Sequence, residues 1–263
     1  MSFIHVCRML RRLLVALFLS LGLFFAARAS AAPLDESAIY ERLLQGVVND
    51  EQIVMVGDMG IKASIVRANL RRALAAQGKA SSEPESVSPP GFVAWPSGVV
   101  PYAFATDITA AHQTDFNDAA AEWAMFANIQ FIPRTTQTDY VFVENQPTGM
   151  EGGVSAVGKV GGAQLFRIGS WNRGTLCHEL GHTLGLVHEH QRSDRDTFVT
   201  ILTQNIVPGG EANFTIISPS LNRGAYDFYS IMHYARNALS IDPDNLDTIE
   251  PQPAYSTFLN VYG

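Results

Sequence analysis

Residues 178–188 read H-E-L-G-H-T-L-G-L-V-H, and this stretch predicts both the local fold and the chemistry. On an α-helix, His178 and His182 are separated by about 400° of rotation and about 6 Å of rise, so both imidazoles leave the same face. Two imidazoles at this spacing can bind one metal ion. Glu179 follows the first histidine and is not needed as a ligand. The spacing therefore predicts a metal site on a helix, with a carboxylate beside it.

The third histidine of this stretch requires the helix to end. In a continuous helix, His188 would lie about 240° around the axis from His182. Gly185 can adopt the left-handed conformation that ends a helix and turns the chain back, so that His188 approaches from the side. Three neutral imidazoles with an open fourth position are typical of catalytic zinc. We therefore predict one zinc ion per chain, bound by His178, His182 and His188, with Glu179 as the general base.

Two features near this stretch bear on the prediction. His190 is an alternative third ligand, but it lies two residues too late for the motif, so we expect it near the site or at the surface. Met232 follows His188 by 44 residues within the run S-I-M-H-Y, which matches the methionine turn that accompanies the extended motif. Alone, a methionine is more often an ordinary core residue. Together with the histidines, Met232 is expected to form an apolar floor beneath them.

These residues resemble the astacin family of metzincin zinc endopeptidases, in its bacterial type. Glu189 directly follows the third histidine, as in astacins, and residues 189–196 and 226–234 are similar to family segments. The resemblance covers roughly residues 92–240. It implies that Tyr234 is a fifth zinc ligand that swings away to stabilise the tetrahedral intermediate. It also implies that Glu189 anchors a structural network near the mature N-terminus.

The resemblance further implies an α+β catalytic domain of two lobes. The N-terminal lobe has a twisted sheet and an active-site helix, and the irregular C-terminal lobe contains the methionine turn. The implied activity is hydrolysis of internal peptide bonds in protein or peptide substrates. The alternative is a secreted binding protein that keeps the metzincin fold without turnover. Retention of Glu179 and Tyr234 argues against it, because a binding protein has no need of a general base.

The N-terminal residues 1–31 are typical of a signal peptide. Arg8, Arg11 and Arg12 precede an apolar run at 13–27, which is followed by small residues in the A-x-A pattern. About 15 apolar residues are too few for the roughly 20 that span a bilayer. The pattern therefore predicts a protein secreted to the extracellular space or the periplasm, without a stable membrane span once the signal is removed.

The remaining chain divides at a Pro- and Ser-rich linker that ends near Gly91. We predict a propeptide and linker at 32–91 and a metallopeptidase domain at 92–263. That domain contains 8 basic and 17 acidic residues with no basic stripe, which excludes an ordinary nucleic-acid-binding surface. Residues 55–58, M-V-G-D, resemble the F-x-G-D pattern of astacin propeptides. The resemblance implies that Asp58 occupies the zinc before activation, whereas the alternative is that Gly57 and Asp58 form only a turn.

Overall fold

The computed structural model describes residues 53–56, 58–62, 93–217, 222 and 225–258. It also describes residues 35, 38, 39, 41, 45, 67 and 70 individually. The predicted signal peptide at 1–31 and most of the predicted linker lie outside the described residues. The predicted domain boundaries therefore stay predictions.

One sheet of seven strands forms the N-terminal lobe, in the order β1-β2-β6-β7-β5-β3-β4. The strands are β1 (Ile53–Val56), β2 (Met59–Lys62), β3 (Val99–Phe104), β4 (Gln130–Pro133), β5 (Tyr140–Asn145), β6 (Gly153–Ala156) and β7 (Ala163–Ile168). Strands β3, β4, β5 and β7 are parallel, while β6 is antiparallel to β7. Strand β6 would therefore be the edge of the sheet without the β1–β2 hairpin.

Two helices pack with this sheet. Helix α1 (Ala110–Phe126) begins after Thr109, whose hydroxyl accepts from the His112 amide, and it buries Phe116. Helix α2 (Arg173–Thr183) begins after Asn172, whose side chain likewise accepts a hydrogen bond from a backbone amide, that of Thr175. Both starts follow the preference for short polar side chains at helix N-termini. The aromatic ring of Phe116 is fully buried, so the core of this lobe lies where α1 meets the sheet.

The C-terminal lobe has little regular structure. Its only strands among the described residues are β8 (Val199–Ile201) and β9 (Ile249–Pro251), which pair antiparallel. Its buried apolar cluster contains Phe214, Tyr226 and Phe228. This division into a sheet-and-helix lobe and an irregular lobe confirms the predicted α+β architecture. Among the helices of the described segments, none combines the length and apolar character needed to span a membrane.

The β1–β2 hairpin joins the sheet at the β6 edge. Strand β2 pairs parallel with β6, with Met59 opposite Ser155. The Ser155 amide donates to the Asp58 carbonyl at 3.0 Å, and the Val157 amide donates to the Gly60 carbonyl at 3.0 Å. Met59 is fully buried. The hairpin is thus held at β6 by main-chain hydrogen bonds and by a buried apolar side chain.

Candidate metal centre

The two histidines of α2 have their ring tautomers set by main-chain carbonyls. His178 Nδ1 lies 2.7 Å from the Ile231 oxygen, and His182 Nδ1 lies 2.9 Å from the Leu186 oxygen. Because a carbonyl oxygen only accepts hydrogen bonds, each Nδ1 must carry the proton. Burial lowers the pKa of His182 well below its usual value, so this ring is neutral. Each Nε2 therefore offers a lone pair on the same face of the helix.

His188 reaches this face because α2 ends at Thr183. Gly185 has φ of +98°, and its amide donates to the His182 carbonyl at 2.8 Å. The Nε2 atoms of His182 and His188 lie 3.1 and 3.3 Å from that of His178. Tetrahedral zinc with bonds of about 2.0–2.1 Å separates its ligands by about 3.3–3.4 Å. The three nitrogens are therefore spaced for zinc.

Asp58 of the hairpin contributes a carboxylate to the same point. Its oxygens lie 3.2 Å from the His188 Nε2 and 3.4 Å from the His178 Nε2. The four ligand atoms, with His182, lie within 4.8 Å of one another. Without a metal ion, burial opposes ionisation of Asp58, but the positive charge of His188 and hydrogen bonds from His178 and His188 lower its pKa far below its usual range.

This arrangement fits a bound cation. When the three imidazoles are neutral, their Nε2 lone pairs and the carboxylate are all acceptors, and acceptors facing one another repel unless a positive charge lies between them. Asp58 Oδ1 is also buried without a hydrogen-bond partner in the described part of the chain. Imidazole and carboxylate donors in an approximately tetrahedral group are typical zinc ligands.

Glu179 lies beside this group and directly against strand β6. The side chain is 1% exposed, and a Cβ placed on Gly153 of β6 would lie 2.7 Å from its Cδ. Burial and, secondarily, the charge of Asp58 raise the pKa of Glu179 to about 9. In the absence of a metal ion, this carboxyl group is therefore protonated at neutral pH.

Tyr234 packs on the histidines while its hydroxyl is held elsewhere. Its ring centroid lies 4.3 Å from that of His188 and 4.4 Å from that of His190. Its hydroxyl donates to the Asn213 Oδ1 at 3.4 Å. Burial, followed by the charges of Asp58 and Glu179, raises the pKa of Tyr234, so the phenol is neutral.

Met232 and Glu189 connect the ligand helix to the C-terminal lobe. A Cβ placed on Gly181 would lie 2.6 Å from the Met232 sulfur, so the methionine lies directly against α2. The Glu189 amide donates to the Met232 carbonyl at 2.9 Å. The Glu189 carboxylate accepts from the Arg192 guanidinium at 2.8 Å and from the Asp227 amide at 2.9 Å. Glu189 thus belongs to a charged network beside the metal centre.

His190 is not part of the group formed by Asp58 and the three other histidines. It is fully buried, and its Nε2 lies 2.9 Å from the Asn213 carbonyl oxygen. Sequence reasoning anticipated neither Asn213 nor Gln191, whose side-chain oxygen lies 2.9 Å from the His188 Nδ1. Neither residue belongs to a recognisable spacing pattern, so the sequence carried no signal for them.

Comparisons with known proteins agree with this geometry. The family model of the Astacin peptidases matches residues 91–259. Tolloid-like protein 1 of Homo sapiens is 42% identical over 164 residues, which are 60% of this chain and 16% of that protein. Bone morphogenetic protein 1 of Xenopus laevis is 39% identical over 179 residues, which are 65% of this chain and 24% of that protein. The chain therefore spans less than a quarter of the length of these relatives.

A solved structure is similar over most of its own length. High choriolytic enzyme 1, a hatching enzyme zinc-protease from the medaka fish Oryzias latipes, shares 34% sequence identity with a TM-score of 0.56. The similarity covers 62% of this chain and 81% of that structure. The shared part thus corresponds in extent to the domain that contains the histidine cluster.

Proposed function

Since this chain belongs to the astacin family of zinc metallopeptidases, we propose that it is a zinc-dependent endopeptidase that hydrolyses internal peptide bonds of protein or peptide substrates. The observation that carries the proposal is the convergence of three imidazole lone pairs beside a buried Glu179. In this proposal His178, His182 and His188 are the protein ligands of one zinc ion.

The surrounding side chains supply the remaining steps. A zinc ion held by His178, His182 and His188 would polarise the substrate carbonyl and make a bound water more acidic. Glu179 accepts the proton of that water and passes it to the leaving amine. For this it must be ionised. Burial is the main cause of its raised pKa, and the positive charge of a bound zinc together with the loss of the Asp58 charge would favour ionisation. Tyr234, whose hydroxyl now donates to Asn213, would be able to bind the zinc as a fifth ligand and would donate a hydrogen bond to the oxyanion that forms during hydrolysis.

Latency follows from the same geometry. We propose that residues 32–91 are an inhibitory segment and that Asp58 fills the position at which the water would bind. The hairpin also covers the backbone amides of the β6 edge. The Val93 carbonyl accepts from the Lys159 amide at 2.8 Å, so the domain is tied in place from Val93 onward. Cleavage upstream of Val93 would therefore release the hairpin without cutting that contact.

Export is proposed on the sequence pattern of residues 1–31. A cleaved signal would deliver the protein to the extracellular space or the periplasm. N-terminal sequencing of protein recovered outside the cytoplasm should then find a start shortly after Ala31. An uncleaved N-terminus in the exported protein would contradict the proposal.

The proposed activity is tested by digestion of casein after removal of the inhibitory segment. We expect cleavage that a zinc chelator abolishes and that added zinc restores. Glu179→Gln should keep zinc and lose activity by about a hundredfold or more, because the amide has a similar shape but accepts no proton. Glu144→Gln is the matched control, since Glu144 lies at the surface and pairs with Arg167 at 3.1 Å. Full activity of Glu179→Gln would exclude the general-base role, and zinc-bound protein without peptidase activity would favour the binding-protein alternative.

A further inference from the structure

We propose that Gln191 is a positioning residue of the metal centre, whose side-chain amide holds His188 in the tautomer that presents Nε2 to zinc. The inference rests on the proposed function, because it assumes that His188 is a zinc ligand. It adds a side chain that touches neither zinc nor substrate.

The orientation of the Gln191 amide follows from its second partner. Its nitrogen lies 3.1 Å from the Thr215 carbonyl oxygen, which only accepts hydrogen bonds. The NH₂ group must therefore face Thr215, and the amide oxygen must face His188. That oxygen lies 2.9 Å from the His188 Nδ1 and needs a donor, so Nδ1 carries the proton. The Nε2 of His188 is then left with its lone pair directed at the cluster.

His188 differs from the other two histidines in the kind of group that orients it. His178 and His182 are oriented by main-chain carbonyls, which no side-chain substitution removes. His188 lies beyond the helix end, where no regular hydrogen-bond pattern holds its ring. The hydrogen bond that fixes its tautomer therefore comes from a single replaceable side chain.

The position of Gln191 makes this contact a strong one. The side chain is fully buried, as is His188, so water does not compete for the hydrogen bonds. The main-chain carbonyl of Gln191 also accepts a hydrogen bond from the Ile217 amide at 2.9 Å. Gln191 thus links the third ligand to the segment around Thr215.

The expected effect is on zinc affinity. Removing the partner that orients a metal-binding histidine commonly weakens metal binding by about 10- to 100-fold. We expect Gln191→Leu to raise the dissociation constant for zinc by this factor. Gln191→Glu restores an acceptor for Nδ1 and should bind zinc at least as tightly as the parent, because a carboxylate accepts more strongly than an amide.

The test measures zinc dissociation constants of the uncut protein by competition with a chromophoric chelator. Gln164→Leu is the matched control. Like Gln191, Gln164 is buried. Its side chain donates to the Gly158 carbonyl at 2.9 Å and accepts from the Val160 amide at 3.2 Å. Its loss removes a comparable pair of buried hydrogen bonds without touching a histidine of the cluster, so its zinc affinity should equal that of the parent.

Comparison of the variants separates a positioning role from a merely structural one. Both substitutions of Gln191 lose the donor to Thr215, so a structural role predicts equal weakening in Gln191→Leu and Gln191→Glu, and that result would overturn the inference. Equal affinity of Gln191→Leu and the parent would also overturn it, without affecting the proposed function. A parent protein that binds no zinc would overturn the proposed function itself.

A further variant covers the case in which Gln191→Leu does not fold. Gln191→Asn keeps the amide but withdraws it by one methylene, about 1.5 Å, so it no longer reaches the ring. We expect weaker zinc binding in this variant as well, and a parent-like dissociation constant would refute the positioning role.

Discussion

Replacing Asp58 with alanine should convert the uncut protein from a latent to an active form. The substitution removes a carboxylate that lies 3.2 and 3.4 Å from two of the imidazole nitrogens. With zinc bound, the carboxylate is the partner of a buried positive charge, and breaking a buried charged pair costs about 3–5 kcal/mol. Because the Asp58 side chain is 21% exposed, the lower end applies, about 3 kcal/mol. That is roughly a hundredfold in the ratio of docked to undocked hairpin.

The assay follows hydrolysis of a quenched fluorescent peptide by protein that gel electrophoresis shows to be uncut. We expect the initial rate of Asp58→Ala to exceed that of the parent by up to about a hundredfold. Asp247→Ala is the control, since Asp247 is 18% exposed and pairs with Arg236 at 3.0 Å in the C-terminal lobe. It should leave the uncut protein latent.

One result would refute the reasoning about latency. If uncut Asp58→Ala and the uncut parent had equal rates, while both became fully active after proteolysis upstream of Val93, the carboxylate would not be the inhibitory group. The hairpin backbone on β6 would then account for latency. The proposed zinc ligands would be unaffected.

Three further outcomes are expected. Tyr234→Phe should lower kcat more than it raises KM, because its hydroxyl acts on the transition state; an effect confined to KM in steady-state kinetics would argue against this role. Met232→Ala should lower the free energy of unfolding by about 2–5 kcal/mol in denaturant titrations, because a buried side chain against α2 is lost. In protein from which a chelator has removed the metal, the raised pKa of Glu179 means that the folded state keeps a proton that the unfolded chain releases above about pH 4.3. The stability that this group contributes is therefore lost as pH rises towards 9. Glu179→Gln should make the melting temperature depend less on pH over this range, and an unchanged slope of melting temperature against pH would contradict the raised pKa.

Several elements could be predicted from sequence because their signals are local. The apolar residues Phe116, Ala119, Ala120 and Trp123 recur at helical spacing, and the structure has helix α1 there, at Ala110–Phe126. Alternation and helical periodicity depend on backbone geometry that is the same in any protein. The predicted zinc chemistry likewise followed from one contiguous stretch of eleven residues.

The histidine pair shows the same locality. A spacing of four residues places His178 and His182 on one helix face, whatever surrounds the helix. For His188, the glycine at position 185 indicated that the chain could turn back, but the distance to the pair is set by packing between the lobes. The ligand roles themselves stay predictions until zinc binding is measured.

Only the tertiary structure decided which distant residues join this site. Asp58 lies 120 residues before His178, and their proximity depends on the pairing of β2 with β6. Gln191 is close to His188 in sequence, but its amide is oriented by Thr215, which belongs to another segment. Such contacts depend on which strand edge and which loops pack together. Helical periodicity repeats along the chain, whereas these pairings are set by the burial of side chains and the hydrogen-bond partners available across the whole fold.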